Sequence, residues 1–421
     1  MANKITAPLT ISDAECEARV EKVRDFVIEN GLGALLVYSG PKIHMWYQTG
    51  HVGYLSNWSN FDLLTDTIVL VPEKGEAVLL CPGMEYTRKF ISRISWMRDI
   101  RLVSSPDPKA ISSTFDEKTV GSSSEFVGKS FGQEIKEILT ERSLGSKNYG
   151  IAGLENMPVP VYQDLMKHLG VDRMSEVEDI VARLRYVKSD AEIEIMRDTV
   201  RLSDEVFELI PDVLKPGMMG YELSAELERY AKARGADSAY YTLASGPSNN
   251  VESGLMDIGP HFRKLEWGDQ LNINTYLMKN GYFVQPVRSG TVGPPSEQME
   301  TLLGACREIQ DEIIESMKPG VPIADVCKAA RASADRLGYG DGEWGRFGHG
   351  QGLDYGEWPY FTDTNMTLLE PGVVAMIHPP ITVPGTKPRY LYVGLGDVVL
   401  VTETGAERLN QSSREPFHVG L

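Results

Sequence analysis

Apolar residues recur at helical spacing in AECEARVEKVRDFVIENGLG and then fall in an unbroken run, ALLVYS. The first pattern predicts an amphipathic helix closed by Gly31, and the second a strand buried on both faces. DTIVLVP and EAVLLCP flank the polar turn EKGE and predict a hairpin. DPKAISSTFDEKTVGSSSEF is polar and turn-rich, the pattern of an exposed loop. FGQEIKEILTERSL and VPVYQDLMKHLG predict helices on either side of the strand-like NYGIAGLEN. Alternating strands and helices of this kind predict a small α/β domain over residues 1–187.

Beyond Lys188 the pattern changes. KSDAEIEIMRD begins a long helical run, with Ser189 placed to cap it. GDQLNINTYLMKNGYFVQPVRSG reads as strand, turn and strand. Two helical patterns follow, EQMETLLGACREIQDEIIESMKPG and IADVCKAARASADRLGYG, and then VVAMIHPPITVPG, RYLYVGLG and DVVLVTETGAERL as strands. Residues 188–421 therefore predict an α+β domain with antiparallel sheet and outer helices. Tyr240 and Tyr241 stand side by side on a predicted strand, so one is expected to face inward and the other outward.

Composition narrows the function classes. With 421 residues, two domains are the default. A net charge of −17 disfavours nucleic acid and anionic membrane surfaces as general partners. The N-terminal segment shows no apolar core of signal-peptide length, and no apolar run is long enough to span a bilayer. Cys16, Cys81, Cys306 and Cys327 are scattered without a CxxC pair, which predicts reduced thiols and a cytoplasmic location.

RLRYVKSDAEIEIMRD, LKPGMMGYEL, WGDQLNIN, NGYFVQPVRSGTVG, GHGQGLDYGEWP, LLEPGVVAMIHPP and GDVVLVTETGAERL occur in this order. Together they resemble the creatinase/aminopeptidase P/methionine aminopeptidase superfamily over nearly the whole chain. The resemblance implies an α/β N-terminal domain and an α+β C-terminal catalytic domain of pita-bread fold. It also implies five metal-ligand positions, which metallopeptidases of the superfamily fill with two aspartates, a histidine and two glutamates. Here they carry Asn274, Gln285, His349, His378 and Gly396. Carboxylates supply the charge that hard divalent cations need, and none is left at these positions. The expectation is accordingly a site without metal or other cofactor, similar to the metal-free creatinase-like branch.

That branch implies hydrolysis of a C–N bond in a small, non-peptide molecule, with histidine as general base, and the loss of acids around Arg288, His349 and His378 favours a neutral or anionic substrate. His349 and His378 are the candidate bases. The position of the creatinase catalytic histidine falls on Asp257, and His261 lies four residues on. Asn274, Tyr276 and Gln285 are candidates to orient substrate. Arg288 and Arg346 are candidate anion contacts, Arg288 as a bidentate fork. Glu357, in the GHGQGLDYGEWP motif, and Tyr240 and Tyr241 complete the expected wall. Trp58 and Phe61 lie in a loop that resembles the one reaching the neighbouring subunit in creatinase-like homodimers. A lyase acting on a small carboxylate and a non-catalytic binding protein are the alternative readings.

Overall fold

The computed structural model describes residues 10–40, 50–58, 66–83, 85–104, 128–247, 255–257, 262–340, 346–379, 381–382 and 391–419. Two compact units emerge, Ile11–Arg185 and Tyr186–Leu421.

In the first unit, α1 (Asp13–Glu29) starts at Ser12, whose hydroxyl accepts the Glu15 N–H at 3.2 Å. Gly31, at φ +65°, turns the chain into β1 (Ala34–Ser39), buried along its whole length. The unit continues through α2 (Gly50–Ser56), β2 (Thr67–Pro72), β3 (Val78–Pro82), α3 (Glu85–Ile91), β4 (Asp99–Val103), α4 (Phe131–Glu141), β5 (Tyr149–Ala152), α5 (Val159–Leu169), β6 (Met174–Glu176) and α6 (Glu178–Leu184). The strands form one mixed sheet in the order β4-β3-β2-β1-β5-β6. Leu36, Leu70 and Leu80 of the sheet pack with Phe131, Ile138 and Leu165 of the helices. The polar stretch predicted as a loop, 107–126, lies outside the described residues.

Trp58 requires a correction. Its indole is 2% exposed and meets Phe90 edge-on at 6.0 Å, within its own unit. An aromatic side chain that finds this much apolar surface at home has none left to offer a neighbouring subunit. Phe61 lies outside the described residues.

The second unit opens with α7 (Asp190–Val213), closed at its start by a capping box in which Ser189 and Glu192 exchange hydrogen bonds of 3.3 and 3.0 Å. After α8 (Gly220–Lys232) come β7 (Ser238–Pro247), β8 (Leu255–Asp257), β9 (Asp269–Lys279), β10 (Tyr282–Val284) and β11 (Val287–Thr291). β9 and β10 are joined through Asn280 and Gly281, both at positive φ, the geometry an Asn-Gly hairpin turn demands. β10 and β11 keep one register against β9. They are separate only because Pro286 has no N–H to give the ladder. Gln285 therefore stands opposite Tyr276.

The helices α9 (Glu297–Ser316) and α10 (Ile323–Arg336) precede a second sheet built from β12 (Gly348–Gly350), β13 (Glu357–Phe361) and β14 (Val374–Ile377). The short β15 (Ile381–Thr382) and β16 (Leu391–Val393) pair with each other, β17 (Asp397–Val401) and β18 (Ala406–Arg408) complete the second sheet, and β19 (Phe417–His418) runs parallel to β11. Cys306, Ile309 and Ile313 of α9 and Val326 and Ala330 of α10 pack on Ala375, Ile377 and Val399. Since strand side chains alternate, Met376, and His378 just past the strand end, turn the other way. The same alternation sets Asn272, Asn274 and Tyr276 on one face of β9, and Ile273 and Thr275 on the other.

Candidate active site

The two sheets of the second unit meet where their inward faces carry polar groups. His349 lies opposite Met376 in the β12–β14 pair, and the His378 N–H donates to the Phe347 carbonyl at 2.9 Å. The two imidazoles consequently face each other, with ring centroids 5.3 Å apart. From the other sheet, the Gln285 amide reaches His349 Nε2 at 3.0 Å. Tyr355 stands edge-on to both His349 and Tyr276, at 5.8 and 5.7 Å, and Tyr240 packs beside Tyr276 at 6.2 Å. Tyr240 thus shares the site face, while Tyr241 is fully buried on the other, where the α8 Ser224 hydroxyl donates to its backbone carbonyl at 3.4 Å. Gly396 sits in a crowded spot: a Cβ there would displace the Met376 methyl, at 2.1 Å, and press on His378 Cβ at 3.1 Å.

The two histidines differ in what their nitrogens do. His349 Nδ1 donates to the Gly350 carbonyl at 2.9 Å. The atom of Gln285 that faces Nε2 is Oε1, so both ring nitrogens of His349 are engaged. Burial pushes the His349 pKa down to about 4; the Gly350 carbonyl opposes this, the Arg346 charge adds to it, and Glu357 opposes it. His378 also lies well below the ordinary histidine value, through burial, then His349, then Arg346. His378 Nε2, shielded from solvent, has no partner among the described residues. Asn274 Nδ2, also shielded from solvent, lacks a partner there as well.

Burial raises the Tyr276 pKa, with Thr242, Gln285 and the Arg346 charge opposing it and Tyr240 adding to it. Tyr355, which the sequence reading missed, is pushed up to about 12 mainly by burial. Arg346 is exposed, stands 5.2 Å over the Tyr360 ring, and pairs with no carboxylate among the described residues.

Two expected substrate contacts are corrected. Arg288 lies three residues from Gln285, and that odd spacing puts it on the opposite face of the strand. It is 3% exposed and consumed by the Val287 and Gly396 carbonyls (2.9 Å each), Asp397 (2.7 Å) and Ser412 (2.9 Å). Glu357 is buried in an ion pair with Lys188 at 2.8 Å and accepts the Asp354 N–H. It anchors the loop after His349 and has no free oxygen to turn to a ligand. Asp257 ends β8 opposite Leu243, and His261 lies outside the described residues.

The donor set does not fit a pair of divalent cations. Asn274, Gln285, His349 and His378 are all neutral, Gly396 offers no side chain, and Asp397, one residue on, pairs through Oδ1 with Arg288 on the opposite side of the strand. Among the described residues, no three His, Cys, Asp or Glu side chains converge as a metal site would require.

A two-unit chain with an α/β first unit and a pita-bread second unit is the architecture of creatinase- and prolidase-type hydrolases. Residues 19–187 match the Creatinase/Prolidase N-terminal domain, and residues 194–403 match Metallopeptidase family M24. An uncharacterized peptidase of Staphylococcus haemolyticus is 30% identical over 290 residues, 68% of this chain and 80% of that protein. The Xaa-Pro dipeptidase of Pyrococcus furiosus is 28% identical over 285 residues, 67% of this chain and 78% of that protein. Among solved structures, the Pyrococcus furiosus prolidase superposes with a TM-score of 0.70 at 25% identity, covering 93% of this chain and 99% of that one. X-Pro aminopeptidase from Thermotoga maritima gives 0.76 at 20% identity, covering 95% and 99%. The chain belongs to metallopeptidase family M24, a family of hydrolases.

These relatives correct the chemistry expected from sequence. Metal-independent cleavage of a non-peptide C–N bond, in the manner of creatinase, is overturned by similarity to Xaa-Pro dipeptidases, enzymes of a metallopeptidase family. No helix among the described residues is long and apolar enough to cross a membrane.

Proposed function

We propose that this chain hydrolyses the amide bond of a small dipeptide-class substrate bound in the cleft between the two sheets of the second unit. The observation that carries this reading is that two solvent-shielded atoms at family ligand positions, His378 Nε2 and Asn274 Nδ2, have no partner among the described residues, and buried polar groups left open are groups a ligand can satisfy. His378 presents a ring nitrogen to the cleft where the scissile amide would lie. The Asn274 amide and the Tyr276 hydroxyl donate toward the carbonyl oxygen as it gains charge. Arg346, an exposed cation without a carboxylate partner, attracts the substrate's terminal carboxylate. The relatives named Xaa-Pro dipeptidase support the substrate class.

A panel of Xaa-Pro and other dipeptides, incubated with the full chain and analysed by mass spectrometry, tests this. Release of free amino acids is expected. A folded protein that cleaves no member of the panel would sink the proposal. The pairing of two copies remains a proposal as well, to be tested by light scattering; buried Trp58 lends it no support. The four free, buried cysteines support a reducing, cytoplasmic setting.

A further inference from the structure

Tyrosines gather on one wall of the cleft. β7 and β9 pair so that Tyr240 lies opposite Tyr276, and alternation sends both side chains to the site face. Their rings stand 6.2 Å apart, tilted by 45°. Tyr355 meets Tyr276 at 5.7 Å and 70°, and His349 at 5.8 Å and 76°. Tyr240, Tyr276, Tyr355 and His349 thus run as a series of rings, each turned against the next. Tyr276 is 4% exposed, while Tyr240 and Tyr355 on either side of it are only half-buried, so solvent reaches the wall at both. The loop that carries Tyr355 is braced: Gln351 Nε2 donates to the Tyr355 carbonyl at 3.3 Å, and the Gly352 backbone packs so closely on Glu357 that a Cβ would meet its carboxylate at 2.8 Å. None of the tyrosines stands at a position where the family holds metal.

We propose that this wall is the subsite for a substrate side chain and that it takes an uncharged aromatic ring. The proposal rests on the reading of the cleft as the site of a dipeptide. Rings set at these spacings and angles turn edges to faces, and a further flat ring joins such a series edge-on or offset at about 4.5–7 Å. A saturated side chain buries similar area there but gains nothing from that arrangement. Tyrosine faces also attract cations, but the Arg346 charge is felt at Tyr276, Tyr355, His349 and His378 alike, and a second cation would be repelled. The same guanidinium attracts the terminal carboxylate. The ring is therefore that of the carboxyl-terminal residue, whose carboxylate and side chain branch from one carbon.

Calorimetric titration of the full chain with 3-phenylpropionate and 3-cyclohexylpropionate tests this. Both carry a carboxylate and a ring of the same size, and they differ in whether that ring is aromatic. The phenyl compound is expected to bind about three- to tenfold tighter, which is what an aromatic pair adds beyond burial. Burial alone would favour the saturated ring, the more apolar of the two. 3-Phenylpropylamine, a cation in place of the carboxylate, should bind at least about tenfold weaker than 3-phenylpropionate. Tyr355→Leu and Tyr240→Leu should each reduce the phenyl preference and together abolish it, whereas Tyr355→Phe, which keeps the ring, should retain it. Should the double variant fail to fold by circular dichroism, either single variant decides. Equal affinities, tighter binding of the cyclohexyl compound, no binding of either, or an amine bound as tightly as the acid would overturn the proposal. So would a phenyl preference undiminished in the folded leucine variants. The readout is binding, so a chain that cleaves no dipeptide yet prefers the phenyl ring would refute the proposed reaction and leave the subsite standing. A chain that cleaves dipeptides without that preference would do the reverse.

Discussion

Replacing Arg288 should unfold the protein more easily without altering how the remaining folded molecules bind substrate. Its guanidinium closes a buried knot: two backbone carbonyls at 2.9 Å, the Asp397 carboxylate at 2.7 Å and the Ser412 hydroxyl at 2.9 Å, with the Phe207 ring 5.3 Å away. Asp397 is completely buried, its Oδ2 has no partner among the described residues, and the only other cation near it there, Arg408, stands off at 3.7 Å, too far for a hydrogen bond, and so compensates the charge only in part. Removing one member of such a pair costs about 3–5 kcal/mol, since it leaves an uncompensated buried charge. The orphaned carbonyls add to this but not additively. For Arg288→Met, with a urea m-value of about 2–3 kcal/mol per molar, the unfolding midpoint should fall by roughly 1–2.5 M. Arg288→Met combined with Asp397→Leu should recover most of the loss, because exchanging a whole buried pair for apolar groups is often neutral. Urea titration followed by circular dichroism measures both. The reasoning is refuted if Arg288→Met unfolds at the parent's urea concentration while its KM rises. That outcome would make Arg288 the substrate contact that the sequence suggested.

Further outcomes follow from the site. His378→Gln, at a ring whose Nε2 is open to a ligand, should lower turnover of any dipeptide that is cleaved more than His349→Gln, which removes a ring whose nitrogens are both engaged; the reverse order in steady-state kinetics would make His349 the substrate-facing histidine. Because the folded pKa of His349 is depressed from 6.5 to about 4, its contribution to stability is fully present above about pH 6.5 and is lost as pH falls toward 4. That shift corresponds to at most about 3 kcal/mol, so melting temperature should drop across this window in the parent and less steeply in His349→Gln; parallel curves would contradict it. Restoring carboxylates with Asn274→Asp, Gln285→Asp and His378→Glu should raise manganese affinity at least about a hundredfold over the parent by calorimetry, since anionic oxygens are what the present donor set lacks. An unchanged affinity would show that the cleft geometry, and not the donor chemistry, governs cation binding.

Local signals that a stretch of chain carries in itself were legible in the sequence. Ser189 and Glu192 sit three apart and form a capping box wherever the following residues turn helical. The run ALLVYS is a strand buried on both faces because every position is apolar or small. Asn280-Gly281 sets the hairpin, and the ordered motifs carried the fold of both units. The family ligand positions could likewise be counted off, and with them the absence of carboxylates. What the sequence left open was decided by the other sides of those strands. Pro286 breaks the ladder without shifting its register, so Gln285 faces the cleft and Arg288 the opposite side, where Asp397 and Ser412 come from more than a hundred residues away in sequence. Lys188 claims Glu357 across 169 positions. Whether a histidine keeps a ring nitrogen open depends on which carbonyl and which amide reach its two nitrogens, and that distinguishes His378 from His349 only after the sheets have closed. Burial and pairing are properties of surfaces brought together, and a charge or an amide is structural or functional according to what meets it there.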